Sequence, residues 1–206
     1  MRDASSEETV ARKPYRAWVA ASRVGLDELL RHSRDIVPLP RDIVEELVPL
    51  GSEALLRYPF VWLTGHLPVR FTQQERENVR RYLDRGGLLF VDDHNHDVDG
   101  AFHRTASEEV TRAVGPLREL PNDHALYRAF FTFEDGPPTT SHELNGWGDN
   151  LVHEHLFAAY HGDRVAVLYS NKDYSSEWGY HPDSKRFMAV DNTRFAVNLV
   201  VYALTR

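Results

Sequence analysis

The clearest pattern along the chain is an unbroken apolar run, Pro59-Phe60-Val61-Trp62-Leu63-Thr64, that ends in Gly65-His66. A run without polar alternation predicts a strand covered on both faces, the kind found inside parallel sheets. Thr72-Gln73-Gln74-Glu75 then reads as a capping box, with Thr72 as the cap and Glu75 three residues on. It opens a helix that turns Val79, Tyr82 and Leu83 to one side, and Gly86-Gly87 stops it. Gly87-Leu88-Leu89-Phe90-Val91 is a second apolar run, and it passes directly into Asp92-Asp93-His94-Asn95-His96-Asp97. Strand, helix and strand at this spacing predict a βαβ unit with parallel strands and a right-handed crossover.

The flanks follow less regular patterns. Residues 1–13 are polar and predict a mobile arm, leaving residues 14–206 as a single α/β domain. Before the βαβ unit we expect a strand over residues 16–20 and a helix over 25–32, with Leu26, Leu29 and Leu30 on one face. Pro38 and Pro40 break the chain, and a short edge strand containing Pro49 is expected over 46–50. After the unit, residues 107–113 read as helix, and the stretch 116–148 as an irregular excursion with one short strand at 130–133. A further buried strand is expected over 163–169, ending in Ser170-Asn171-Lys172-Asp173. An apolar helix over 191–204, with Phe195, Leu199 and Tyr202 spaced to face a sheet, closes the chain.

Composition narrows the functional classes. With 206 residues, 42% hydrophobic and 27% charged, the chain fills one core and is not disordered in bulk. A formal net charge of -7 argues against a nucleic-acid partner, because neutralising phosphates requires a basic face. No stretch reaches the ~18 to 20 apolar residues of a membrane span, and the polar start Met1-Arg2-Asp3-Ala4-Ser5-Ser6 lacks the apolar core of a secretory signal. We therefore expect a soluble chain, cytoplasmic or periplasmic as a processed mature form. The absence of cysteine removes disulfides, thiolate nucleophiles and thiolate ligands together.

Several blocks resemble one family. They are the run Tyr58 to His66, the helix end Arg81-Tyr82-Leu83-Asp84-Arg85-Gly86-Gly87, and Leu89-Phe90-Val91-Asp92-Asp93. They continue with Leu120-Pro121-Asn122-Asp123-His124-Ala125-Leu126-Tyr127, the tract from Val167 to Trp178 and the ending Asn198 to Arg206. Together they resemble the domain-of-unknown-function 4159 (DUF4159) family over roughly residues 45–206. The resemblance implies a flavodoxin-like three-layer sandwich with a mostly parallel central sheet, related to class I glutamine amidotransferases. Those enzymes use a cysteine nucleophile, so this cysteine-free chain is not a glutamine amidotransferase.

The candidate chemistry sits where strands end, because open parallel sheets bind ligands beyond the carboxyl ends of their strands. His94-Asn95-His96 and His153-Glu154-His155 are two His-x-His pairs, a spacing that sets both imidazoles on one face of extended backbone. With His66 and Asp93 they form the expected ligand set for a divalent transition metal: zinc, iron, copper, nickel or manganese. A hydrolytic centre of this kind needs a general base, for which Asp93 and Glu154 are the candidates. The alternatives are a loop role for the histidines, a helix-capping role for one of Asp92 and Asp93, and a cap role for His124 at a short helix. Ser170 lacks a Gly-x-Ser-x-Gly elbow, and no Gly-x-Gly-x-x-Gly loop supports a nucleotide cofactor. Trp147, Tyr174, Trp178 and Tyr180 lie in polar segments and either line a carbohydrate or peptide site or cover the sheet edge. The competing reading is a non-catalytic binding or assembly module with a small-molecule or protein partner.

Overall fold

The computed structural model describes residues 48–178 and 189–206. The expected polar arm, the strand at 16–20, the helix at 25–32 and Tyr180 lie outside the described residues. Five strands form one sheet in the order β1-β2-β5-β4-β3. They are β1 (Phe60–Gly65), β2 (Leu88–Asp93), β3 (Arg118–Glu119), β4 (Phe157–His161) and β5 (Arg164–Ser170). β1, β2 and β5 pair in parallel, whereas β4 runs antiparallel between β5 and β3.

The βαβ unit forms as its pattern dictates. Helix α1 (Gln73–Asp84) starts from a complete capping box, with Thr72 accepting from Glu75 N and Glu75 accepting from Thr72 N. Beyond its end the chain turns at Gly86, φ +99°, and a side chain at Gly87 would meet the Tyr82 ring at 2.2 Å. Tyr82 closes this turn by donating to the Leu88 carbonyl at 2.8 Å. All of β2 is buried, and its pleat divides Leu88 and Phe90 from Leu89 and Val91 between two cores.

Those cores make the layers. One face of the sheet carries α1 and α2 (Ala101–Ala113), through Val79, Tyr82, Leu83, Phe102, Ala106 and Val110. The other carries α4 (Tyr174–Trp178) and α5 (Ala189–Thr205), through Tyr174, Trp178, Phe195 and Leu199. Two aromatic residues expected in polar loops, Tyr174 and Trp178, are therefore core residues, whereas Trp147 is exposed. Three segments depart from the expected elements. Residues 48–50 form coil and turn instead of an edge strand. Residues 130–133 are irregular, because the Asn198 side chain takes the place of a strand partner: it accepts from Phe131 N at 2.8 Å and donates to Phe131 O at 2.8 Å. β4 was not foreseen; it pairs with β5 through a tight reversal at Gly162, φ +62°.

Candidate functional site

Thr64, Asp92 and Ser170 occupy one rung across β1, β2 and β5, and Gly65 pairs with Asp93 on the next. Adjacent parallel pairing thus brings the three strand ends together without a reversal of strand order between them. The excursion between β3 and β4 contributes a short helix, α3 (Ser141–Leu144), and the loop that follows it.

Asp92 and Asp93 point to opposite faces. The Asp92 carboxylate accepts from Tyr174 N at 3.3 Å and Ser175 N at 2.8 Å, so it caps the start of α4. Burial and the nearby Asp173 charge push its carboxyl upward, against the pull of the Ser175 amide and the Ser170 and Ser175 hydroxyls. Asp93 Oδ1 accepts from Asn95 N at 2.9 Å and shapes the turn after β2. Burial pushes the Asp93 carboxyl up to about 7, with the Asn95 and Asp97 amides opposing and the Asp173 and Asp97 charges adding.

The two His-x-His pairs are split, one member of each going to a common site. His96 has a left-handed backbone, φ +49°, and is fully buried. Its Nδ1 faces the Asn171 carbonyl, while its Nε2 lies 3.0 Å from Leu151 O and 3.4 Å from Asp149 Oδ1. His153 Nε2 is 3.0 Å from Asp149 Oδ2. The ligand atoms of His96, Asp149 and His153 all lie within 4.8 Å of one another. Asp149 is itself fixed by Val98 N at 3.2 Å and Leu151 N at 3.0 Å. Burial lowers the pKa of His153, with the Asp149 charge opposing, which favours the neutral ring. Of the other pair members, His155 Nδ1 binds Asn122 Oδ1 at 3.0 Å, and Glu154 beside it is exposed.

His94 turns to a different partner. Its Nδ1 lies 2.6 Å from Asp173 Oδ1, and His142 Nδ1 lies 2.5 Å from Asp173 Oδ2. Asp173 is fully buried with φ +55°, and also accepts from Ser175 Oγ at 2.7 Å and Ser176 N at 3.1 Å. Burial acts to raise its carboxyl, but the bonds from His142 and His94 prevail and hold it well below the usual carboxylate range. Burial also depresses the His94 pKa, against Asp173 and with help from His66 and His142. His66 is exposed, its ring centroid 3.9 Å from that of His94, and its Nδ1 bonds Asn95 Oδ1 at 2.8 Å.

The hydroxyls here are not nucleophiles of a triad. Ser175 and Ser176 Oγ approach His94 Nδ1 at 3.3 and 3.2 Å, the same nitrogen that Asp173 holds. A triad needs serine and carboxylate on opposite ring nitrogens. Ser170 is buried and accepts from Lys172 N at 3.0 Å, a turn contact. His124 caps the short 3-10 helix Ala125–Arg128, accepting from Leu126 N at 3.2 Å.

A family model described as Domain of unknown function (DUF4159) matches residues 9–204. The chain belongs to the DUF4159 family. No curated protein matches it. In this DUF4159 chain the strand-end residues were legible from the sequence, but Asp149, His142, Asp173 and the buried pair Lys172–Glu143 were not singled out. Lys172 Nζ sits 2.7 Å from Glu143 Oε1 and donates to His153 O at 2.6 Å, with burial lowering its pKa against the Glu143 charge. Asp173 had a signal, its place just after a buried strand; His142 and Asp149 had none beyond their residue type.

Proposed function

We propose that this DUF4159 chain is a metal-binding α/β domain whose ion is held by His96, Asp149 and His153. The observation that carries this reading is the environment of His96 Nε2. Its Nδ1 faces one carbonyl, and its Nε2 faces a second carbonyl and a carboxylate oxygen. A neutral imidazole donates from one nitrogen only, so the space at Nε2 calls for a positive charge. A metal ion supplies that charge, and two imidazoles with a carboxylate suit zinc, iron, copper, nickel or manganese. An Nδ1–H bonded to a backbone carbonyl is also how metal-ligating histidines are oriented.

We assign hydrolysis as the chemistry, since an ion with an open position supplies an activated water. Asp93, its carboxyl near 7, is suited to accept a proton at neutral pH, and exposed Glu154 adjoins a ligand. We read the fold as flavodoxin-like and related to class I glutamine amidotransferases, a reading supported by parallel β1, β2 and β5 with helices on both faces.

Elemental analysis of tag-free protein supplemented with each metal tests this. Folded Asp149→Ala and His153→Ala variants are expected to hold one ion fewer per chain than the parent. No metal in the parent under any supplement sinks the reading. That result favours the second one, a non-catalytic binding module. The exposed apolar side chains Leu144, Trp147, Leu151 and Val152, on and beside the loop carrying Asp149, support that alternative.

A further inference from the structure

His153 is carried by a stretch without regular structure. Residues 150–156 belong to no helix or strand, so no ladder of backbone bonds fixes its place. Two buried charges hold its peptide groups instead. His153 N donates to Glu143 Oε1 at 2.8 Å, and His153 O accepts from Lys172 Nζ at 2.6 Å. Lys172 Nζ and Glu143 Oε1 meet at 2.7 Å, with their side chains 1% and 0% exposed. Carboxylate and ammonium thus close on the backbone to either side of the His153 Cα.

The two arms of this clamp are themselves fixed. Glu143 Oε2 accepts from Thr140 N at 2.7 Å, completing the capping box of α3. Lys172 N donates to Ser170 Oγ at 3.0 Å, and Lys172 O accepts from Thr140 Oγ1 at 2.8 Å. The residue before Lys172 serves the other imidazole of the triad. Asn171 O accepts from His96 Nδ1, and Asn171 Oδ1 lies 2.9 Å from His103 Nδ1 on α2. Asn171 and Lys172 directly follow β5, so the sheet edge reaches both histidines of the triad through two consecutive residues.

We infer that Lys172 and Glu143 are positioning residues of the metal site, acting through His153 to set its imidazole against His96 and Asp149. The inference rests on the metal reading above. Glu143 is not one of the three residues whose ligand atoms gather within 4.8 Å, and both its oxygens are engaged by donors. It therefore works as an outer-shell partner, which fixes a ligand without touching the ion. A buried ion pair is weak support for stability, because desolvating both charges offsets their attraction. Its use here is to specify one arrangement of the loop.

Cobalt(II) binding to the full chain, read by visible d–d absorption and by chelator competition, tests this. The parent is expected to bind one cobalt whose bands are lost in Asp149→Ala. Glu143→Met/Lys172→Met replaces the whole pair by apolar side chains, which a core tolerates far better than the loss of one partner. That variant is expected to keep native circular dichroism and saturate with one cobalt. Its affinity is expected to fall by about 10- to 100-fold, with shifted bands. Glu143→Gln, of the same shape, guards against misfolding. Its amide nitrogen cannot accept from Thr140 N, so the side chain loses part of its hold, and a smaller fall in affinity with shifted bands is expected. Tyr82→Phe, which breaks the bond to Leu88 O at the amino ends of the strands, is the comparator. It is expected to lower Tm and to leave cobalt affinity and bands as in the parent. If the folded Glu143 variants match the parent in bands and affinity, the pair serves the fold alone, and the inference is overturned while the triad stands. Affinity that falls in step with Tm in every variant, Tyr82→Phe included, also overturns it. A parent that binds no cobalt, or keeps its bands in Asp149→Ala, overturns the metal reading and this inference with it.

Discussion

Asp92 and Asp93 are neighbours in the chain, and the pleat gives them different work. Asp92 is held as an acceptor by the amides at the start of α4, so its carboxyl has a structural use. Asp93 is buried on the other face with fewer donors, and its carboxyl near 7 lies well above the unfolded value of about 3.9. Between those two pH values the folded chain binds more protons than the unfolded one. Stability from this residue is therefore greatest below about pH 4, falls as pH rises to about 7, and is level above. Asp93→Asn keeps an acceptor for Asn95 N and never ionises. In metal-free protein it is expected to differ little from the parent near pH 4 and to be more stable by about 4 kcal/mol at pH 8. Urea unfolding across that range checks this; a difference that does not vary with pH contradicts it.

At the scale of elements, the excursion between β3 and β4 is what the strand ends depend on. Glu143 on α3 accepts from Thr140 N, His153 N and Lys172 Nζ, tying both ends of the loop to the residue after β5. Lys172→Met leaves the Glu143 carboxylate buried without its cation. Breaking such a pair from one side costs about 3–5 kcal/mol, a loss that chemical denaturation measures directly. Gly148 sets the path of the same loop: its φ is +66°, and a Cβ there would meet His96 O at 1.8 Å. Gly148→Ala is expected to displace Asp149 and weaken metal binding at the triad at least tenfold by competitive chelator titration. The β1–α1–β2 unit was legible because continuous apolar runs and a capping box are local signals. β4 was not, since Phe157-Ala158-Ala159-Tyr160-His161 carries little apolar bulk and owes its place to β5. Phe130 to Phe133 looked like a strand for the opposite reason. Phe131 and Phe133 are real core contacts, but Asn198, distant in sequence, satisfies the backbone of Phe131.

Taken as a whole molecule, the sheet accounts for which half of the site the sequence disclosed. The ends of β1, β2 and β5 carry His66, Asp92 to His96 and Asp173, and parallel pairing makes their meeting a matter of topology. His142, Asp149 and His153 arrive on a long return whose course depends on buried polar bonds, and no periodicity reports it. An ion held by His96 from the sheet edge and by Asp149 and His153 from the excursion would cross-link the two, so binding is expected to register as global stability. A ligand at about 100 times its dissociation constant adds about 2.7 kcal/mol per site to the folded state. At about 2–4 °C per kcal/mol for a chain of this size, one filled site raises Tm by about 5–10 °C. Zinc or cobalt is expected to produce that shift, and a chelator to reverse it. Magnesium is not, because it takes oxygen ligands in near-octahedral order and the triad offers two imidazoles. Differential scanning fluorimetry with both metals separates a specific cross-link from general screening of the net charge of -7. Equal shifts with magnesium and zinc mean that surface charge is being screened, since magnesium has no claim on Nε2, and in that event the histidines tie the excursion to the sheet through hydrogen bonds alone.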